Sequence, residues 1–184
     1  MSLREAGREL VLLDRAVYAA VHATPTPTVD HALARISRAA DRSGIWLSVA
    51  AGLSLLGGRP RRDAVVGLAA IGATSTLVNL VVKPVVRRER PSRSETVRTR
   101  VVRMPTSASY PSGHAASAFA FSTAVGAGLP HVDTTLRLMA STVAYSRVHT
   151  GVHYPGDVVA GALIGAGMGS AARHLAQRTG FLEP

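Results

Sequence analysis

The 184-residue sequence has no cysteine, which excludes disulfides, thiolate metal sites and a cysteine nucleophile. Aromatic residues are scarce, 4% of the chain against 47% hydrophobic residues in all, so a core has to be assembled from Ala, Val, Leu and Gly. Packed membrane helices are often built that way, because small side chains let backbones approach closely. Acidic residues are also few: 11 Asp and Glu stand against 21 Lys and Arg, for a formal net charge of +10. That balance suits an anionic partner, whether nucleic acid, anionic lipid or a phosphorylated substrate, and does not choose among them. All but one of the basic residues are Arg, a bias that a GC-rich genome produces without any functional cause. Met1 to Gly7 lacks a basic cap followed by an apolar run. No cleavable signal peptide is therefore expected, and membrane insertion is expected to use internal segments. The length fits one domain better than two.

Leu10, Leu13, Val17 and Val21 recur at helical spacing with Arg8, Asp14 and Arg15 off the stripe, and the run stops at Pro25 and Pro27. Val29, Leu33, Ile36 and Ala40 form a second stripe. Residues 1–43 thus read as two amphipathic helices, either packed on the rest of the chain or lying in a membrane interface. Residues 44–184 read as the core, with charge-free runs at Ile45 to Gly58, Ala64 to Val82, Ala115 to Leu129, Leu138 to Tyr145 and Val158 to Ala172. Only Ala64 to Val82 approaches the roughly 20 apolar residues that span a bilayer unaided. A soluble bundle buries helices of similar length, but these runs lack a charged outer face. Gly161, Gly165 and Gly169 also repeat at the spacing of closely packed membrane helices. The expected fold is therefore all-α, a bundle of about five membrane-embedded helices plus the two N-terminal ones. Residues 84–111 form the one long polar segment, expected to bring Arg90 over the site and to meet anionic headgroups, and most of its other arginines (Arg87, Arg88, Arg93, Arg98, Arg100, Arg103) are expected to be solvated.

Three short motifs carry the chemistry: Lys83 to Arg90-Pro91, Pro111-Ser112-Gly113-His114, and Ser146-Arg147 followed by His153 and Asp157. If successive spans alternate in direction, Lys83 ends one helix, His114 starts the next, Arg147 ends another and Asp157 starts the last, all at one face. Phosphoryl transfer spreads negative charge over the equatorial oxygens. Lys83, Arg90 and Arg147 can neutralise it without a metal, and Ser112 and Gly113 can add backbone N–H groups at a helix start. A neutral imidazole attacks phosphorus, and His153 is the expected nucleophile, with Asp157 holding its other nitrogen. His114 is expected to protonate the leaving oxygen and then to activate water. No metal or cofactor is expected. His149, His153 and Asp157 are four apart and imitate a metal site on one helical face, but Pro155 and Gly156 interrupt that helix, which leaves His149 as a packed histidine. His22, His31, His131 and His174 carry no expected role.

The order and internal gaps of these motifs resemble the signature of the type 2 phosphatidic acid phosphatase family, KxxxxxxRP, PSGH and SRxxxxxHxxxD, and all three parts match without departure. The resemblance implies a helical membrane bundle and a metal-independent lipid phosphate phosphatase acting through a phosphohistidine, with the same roles for His153, His114 and Asp157. The substrate it implies is a lipid bearing a terminal phosphate, with phosphatidylglycerol phosphate, phosphatidic acid, a polyprenyl diphosphate and decaprenylphosphoryl 5-phosphoribose as candidates. The family at large also contains vanadium haloperoxidases, against which the apolar helices and small size argue. A non-catalytic binder of anionic lipid or nucleic acid would explain the basicity, not the two histidines and the aspartate at these intervals, and no nucleic-acid partner is expected. Oligomeric state is not legible. Basic residues are more numerous on the active-site face than on the opposite one, so that face is expected to lie in the cytoplasm of a bacterial inner membrane.

Overall fold

The structure, a computed structural model, describes residues 2–92, 100 and 102–182. Expectations about Arg93 and Arg98 fall outside the described residues. Within them the chain is all-helical, with seven helices: α1 Leu3–Ala23, α2 Pro27–Ala39, α3 Gly44–Leu55, α4 Gly58–Val86, α5 Gly113–Gly126, α6 Pro130–His149 and α7 Pro155–Arg178. A 3-10 turn, Asp41–Ser43, joins α2 to α3. Proline opens α2, α6 and α7, where its missing N–H costs nothing and its fixed φ favours the helix. Gly57, at φ 70°, turns the chain between α3 and α4. Helix α4 is long and apolar enough, by length and composition, to cross a membrane.

Helix α5 is the centre of the bundle. Every residue from Ala115 to Gly126 except Phe119 is buried, and α4, α6 and α7 surround it. Its Ala, Ser, Thr and Gly side chains make that possible, since a helix packed on all sides needs small residues where neighbours come close. The closest neighbour is α7: a Cβ at Gly161, Gly165 or Gly169 would collide with the carbonyl oxygen of Ser112, Ala116 or Ala120 respectively. Both series run in steps of four, so two helical faces mesh in register over two turns. On the other side Trp46 of α3 meets Phe121 with ring centroids 5.4 Å apart, and Ile71, Val125, Leu136 and Val143 fill the space around them.

Of the two readings open for the N-terminal helices, packing on the rest of the chain holds for part of the α2 stripe, where Leu33 and Ala40 are buried. The apolar stripe of α1 does not pack inward: Leu10, Leu13 and Val17 are exposed, whereas Asp14, off the stripe, is 8% exposed. Helix α1 is oriented by its acid, which finds a cation and a helix start, and its apolar face is left outward. Two arginines of the polar segment stand apart from the solvated majority expected there. Arg100 is fully buried and donates to Asp30 Oδ1 at 2.8 Å, to Val21 O at 2.9 Å and to Thr24 O at 2.5 Å. His149 Nε2 lies 2.8 Å from the same Asp30 oxygen, so this cluster fastens the α1–α2 hairpin to the end of α6. Arg88, the second, belongs to the site.

Candidate active site

Lys83 lies in the last turn of α4, directly after a π-helical stretch, Leu77–Val82. A proline inside a helix clashes with the carbonyl four residues back, and widening the turn relieves the clash ahead of Pro84. The lysine is 9% exposed and donates to Asn79 Oδ1 at 3.1 Å and to Ser107 Oγ at 3.2 Å. Arg87, in the left-handed region at φ 49°, ends the helix and directs the chain back over the site. Arg90 is then fixed by Nε to Ser107 O at 2.9 Å and by Nη1 to Val152 O at 2.7 Å.

Ser112 caps α5, its Oγ accepting from Ala115 N, while its own N–H donates to Asp157 O at 2.8 Å. That N–H is therefore committed to the start of α7, which leaves the hydroxyl as the remaining donor of Ser112. Gly113 and His114 follow in the first turn, ahead of the first intrahelical bond from Ala116 N to Ser112 O. His114 Nε2 lies 3.0 Å from Asp41 Oδ1. Arg147, 1% exposed, donates from Nη1 to Ser37 Oγ at 2.5 Å and stands 3.8 Å from the same Asp41 oxygen. Asp41 thus faces both groups.

Between α6 and α7 the chain turns at Gly151, φ 71°, and the N–H groups of Val152 and His153 both donate to Arg147 O at 3.2 Å. His153 is thereby placed by the end of α6. Its Nε2 receives Arg90 Nη1 at 3.2 Å, and its Nδ1 lies 3.5 Å from Asp157 Oδ2 and 3.4 Å from Ser109 Oγ. Guanidinium only donates, so Nε2 is the acceptor nitrogen and the ring proton belongs on Nδ1, facing the carboxylate. Burial, helped by the charges of Arg90 and Arg147 and opposed by Asp157, pushes the His153 pKa down from 6.5 to about 3. At neutral pH the imidazole is therefore uncharged, with Nε2 unprotonated and its lone pair accepting from Arg90. Asp157 Oδ2 also accepts from Ser109 Oγ at 2.5 Å and from Tyr154 N at 3.0 Å, while Oδ1 accepts from Arg88 Nη1 at 2.8 Å.

Lys83, Arg90, Gly113, His114 and His153 line one cavity of about 230 Å³. Ser112, Arg147 and Asp157 are buried and do not line it. The sequence reading missed Asn79, Ser107, Ser109, Asp41, Asp14 and Arg88. Asn79, one helical turn before Lys83, had a readable spacing; the others had none. Among the described residues no cluster of three or more His, Asp or Glu could hold a metal ion. His149 faces Asp30 rather than His153.

Residues 64–181 match the model of the PAP2 superfamily. A decaprenylphosphoryl-5-phosphoribose phosphatase of Mycolicibacterium smegmatis is 37% identical over 131 residues, 68% of this chain and 67% of that protein. Its namesake in Mycobacterium tuberculosis is 35% identical over 125 residues, covering 64% and 66% respectively. The matched stretch spans about two thirds of each relative. Among solved structures, a transmembrane PAP2-type phosphatidylglycerolphosphate phosphatase of Bacillus subtilis superposes with a TM-score of 0.70 at 21% identity, over 92% of this chain and 87% of that one. LpxE of Aquifex aeolicus gives 0.72 at 23% identity, over 87% and 94%. At these identities the likeness speaks to the fold.

Proposed function

Because this chain belongs to the PAP2 superfamily, we propose that it is a membrane lipid phosphate phosphatase that removes a terminal phosphate through a phosphohistidine on His153. It is a phosphoric monoester hydrolase. The observation that supports the residue assignments is that His153 lines a cavity with Arg90, Lys83, Gly113 and His114, with Arg90 on its Nε2 and Asp157 on its Nδ1 side.

In the proposed reaction the phosphate occupies that cavity, its charge met by Lys83 and Arg90 and by the first turn of α5. Nε2 attacks phosphorus in line, the bond from phosphorus to the lipid oxygen breaks, and His114 gives that oxygen a proton. The charge developing on the imidazole is stabilised by Asp157 through Nδ1–H. Water then attacks the phosphohistidine, His114 takes its proton, and inorganic phosphate leaves with His153 neutral again. Arg147, buried and bound to Ser37, adds positive charge without lining the cavity. With the chain's own cations meeting the phosphate, no divalent metal is required.

The relatives' names support decaprenylphosphoryl-5-phosphoribose as the first substrate to test, ahead of phosphatidylglycerol phosphate, phosphatidic acid and a polyprenyl diphosphate. Phosphate release from these four lipids by the purified protein is the decisive assay. Turnover of at least one is expected, with inhibition by vanadate, which adopts the geometry of the transferring group, and with no loss in excess chelator. Loss on chelation restored by a divalent cation would overturn the mechanism.

A further inference from the structure

We propose that Arg88 and Asp14 are positioning residues for the nucleophile: a carboxylate–guanidinium–carboxylate row, Asp14–Arg88–Asp157, keeps Asp157 ionised and directed at His153. The inference rests on the phosphohistidine reading and assigns a part in it to α1, which lies outside the residues matched by the family.

Arg88 donates from Nη1 to Asp157 Oδ1 at 2.8 Å and from Nη2 to Asp14 Oδ2 at 2.5 Å, so one guanidinium joins the two acids. Its plane is held from the side by Tyr154, whose ring centroid lies 4.3 Å from the guanidinium carbon, and Tyr18 of α1 packs on that ring at 5.4 Å. The other oxygen of Asp14 accepts the Gly156 N–H at 2.6 Å, in the first turn of α7. A Cβ at residue 156 would come within 3.1–3.3 Å of the Asp14 carboxylate, so the glycine makes room for the acid. Asp14 therefore grips both the cation that faces Asp157 and the helix start that carries it.

The charges give this geometry its consequence. Asp157 is fully buried, and a buried carboxylate stays ionised only when it is paired and hydrogen-bonded. Arg88 supplies the pairing, yet an unshared cation on Oδ1 would draw the carboxylate's charge away from His153. Asp14 takes up half of the guanidinium, and the row keeps a net charge of −1 to stabilise the imidazolium that forms on attack. Among the described residues, the other ionisable groups facing this region are Tyr18 and His22 of α1, Tyr154, Tyr110 and Arg90 of the 87–112 segment, Arg147 of α6 and His153 itself. Arg90 and Arg147 lie on the His153 side, so Arg88 is the cation that separates the two acids.

The test is kcat and KM against pH for the full-length protein, on whichever of the four lipids the wild type hydrolyses fastest. Arg88→Met should lower kcat about a hundredfold and raise the acid limb of the profile by about one pH unit, because Asp14 and Asp157 then face each other without a cation and share a proton as the pH falls. Asp14→Asn alone should lower kcat about tenfold, leave KM within about twofold and move the limb no higher. The double variant should be faster than Arg88→Met, with its acid limb restored, and Arg88→Lys should keep the wild-type limb while losing part of kcat. A purely structural role would make the Arg88→Met and Asp14→Asn losses multiply in the double variant and leave the acid limb of Arg88→Met unmoved, and that result would overturn the proposal; with Arg88→Lys and Asp14→Asn as the only folded variants, wild-type kcat in both would overturn it. If His153→Ala is as active as the wild type, or the wild type releases no phosphate from any of the four lipids, the phosphohistidine reading falls and this inference falls with it. A wild type dependent on His153 beside flat Arg88 and Asp14 profiles would sink this inference alone.

Discussion

At the scale of residues, two buried histidines four apart in sequence have opposite surroundings. His153 has a donor on Nε2, acceptors near Nδ1, and a face on the cavity. His149 has Asp30 on Nε2 and the Tyr145 ring 5.7 Å away, and lines no part of that cavity. His153→Ala should therefore abolish phosphate release while the protein still inserts and folds. His149→Ala should keep substantial activity and lose about 1–3 kcal/mol of stability, read from thermal unfolding in detergent, since it empties buried space and takes a partner from Asp30. A second prediction concerns acid. The folded-state pKa of His153 is depressed to about 3 from 6.5, so below pH 6.5 the unfolded chain binds a proton that the folded chain refuses. Stability from this residue is present above 6.5 and is lost progressively as the pH falls toward 3. Unfolding midpoints measured across that window should fall less steeply for His153→Asn than for the wild type; equal slopes would contradict it.

At the scale of elements, the seam between α5 and α7 sets the spacing of the site, because Ser112 and Asp157 are joined across it at its upper end. Gly165→Val should cost about 1–3 kcal/mol and lower activity in step, since the Ala116 carbonyl leaves no space for a side chain. Gly167→Val, with open space around it, is the matched control and should cost nothing, because valine meets no neighbour there and is a better helix former than glycine. The glycine repeat was legible in sequence because its period is local, and so were the end of the first helix at Pro25 and Pro27 and the break at Pro155 and Gly156. Five residues of the cavity lining, Lys83, Arg90, Gly113, His114 and His153, were legible because each falls within a short motif; Asn79 and Ser107, which also line it, belong to none. The outward face of α1 was not legible: periodicity shows which face is apolar and says nothing about what that face meets. Arg88 and Arg100 were equally opaque, since their acids, Asp14 and Asp30, lie 74 and 70 residues away.

At the scale of the whole molecule, the two ends of the bundle differ in how their charge is matched. Away from the site, Arg173 is bound to Asp63 at 2.8 Å, Arg59 lies 3.8 Å from the same acid, and Arg137 pairs with Asp133 at 2.9 Å. The basic residues of the other end are more numerous, and basic residues flanking spans are retained in the cytoplasm, so the site is expected to face inward. The chain has no cysteine, so single cysteines at the exposed positions Arg103 and Thr179 report sidedness without background. In intact cells an impermeant thiol reagent should label position 179 and spare position 103; the reverse pattern would place the site outside. The lining of the cavity has one more consequence, for chemical probing. Lys83 is the single lysine of the sequence, so the only side-chain amine in the molecule stands where the phosphate is proposed to bind. An amine-directed reagent small enough to enter reports whether that space is filled, and the protection a bound anion confers measures its affinity without any turnover.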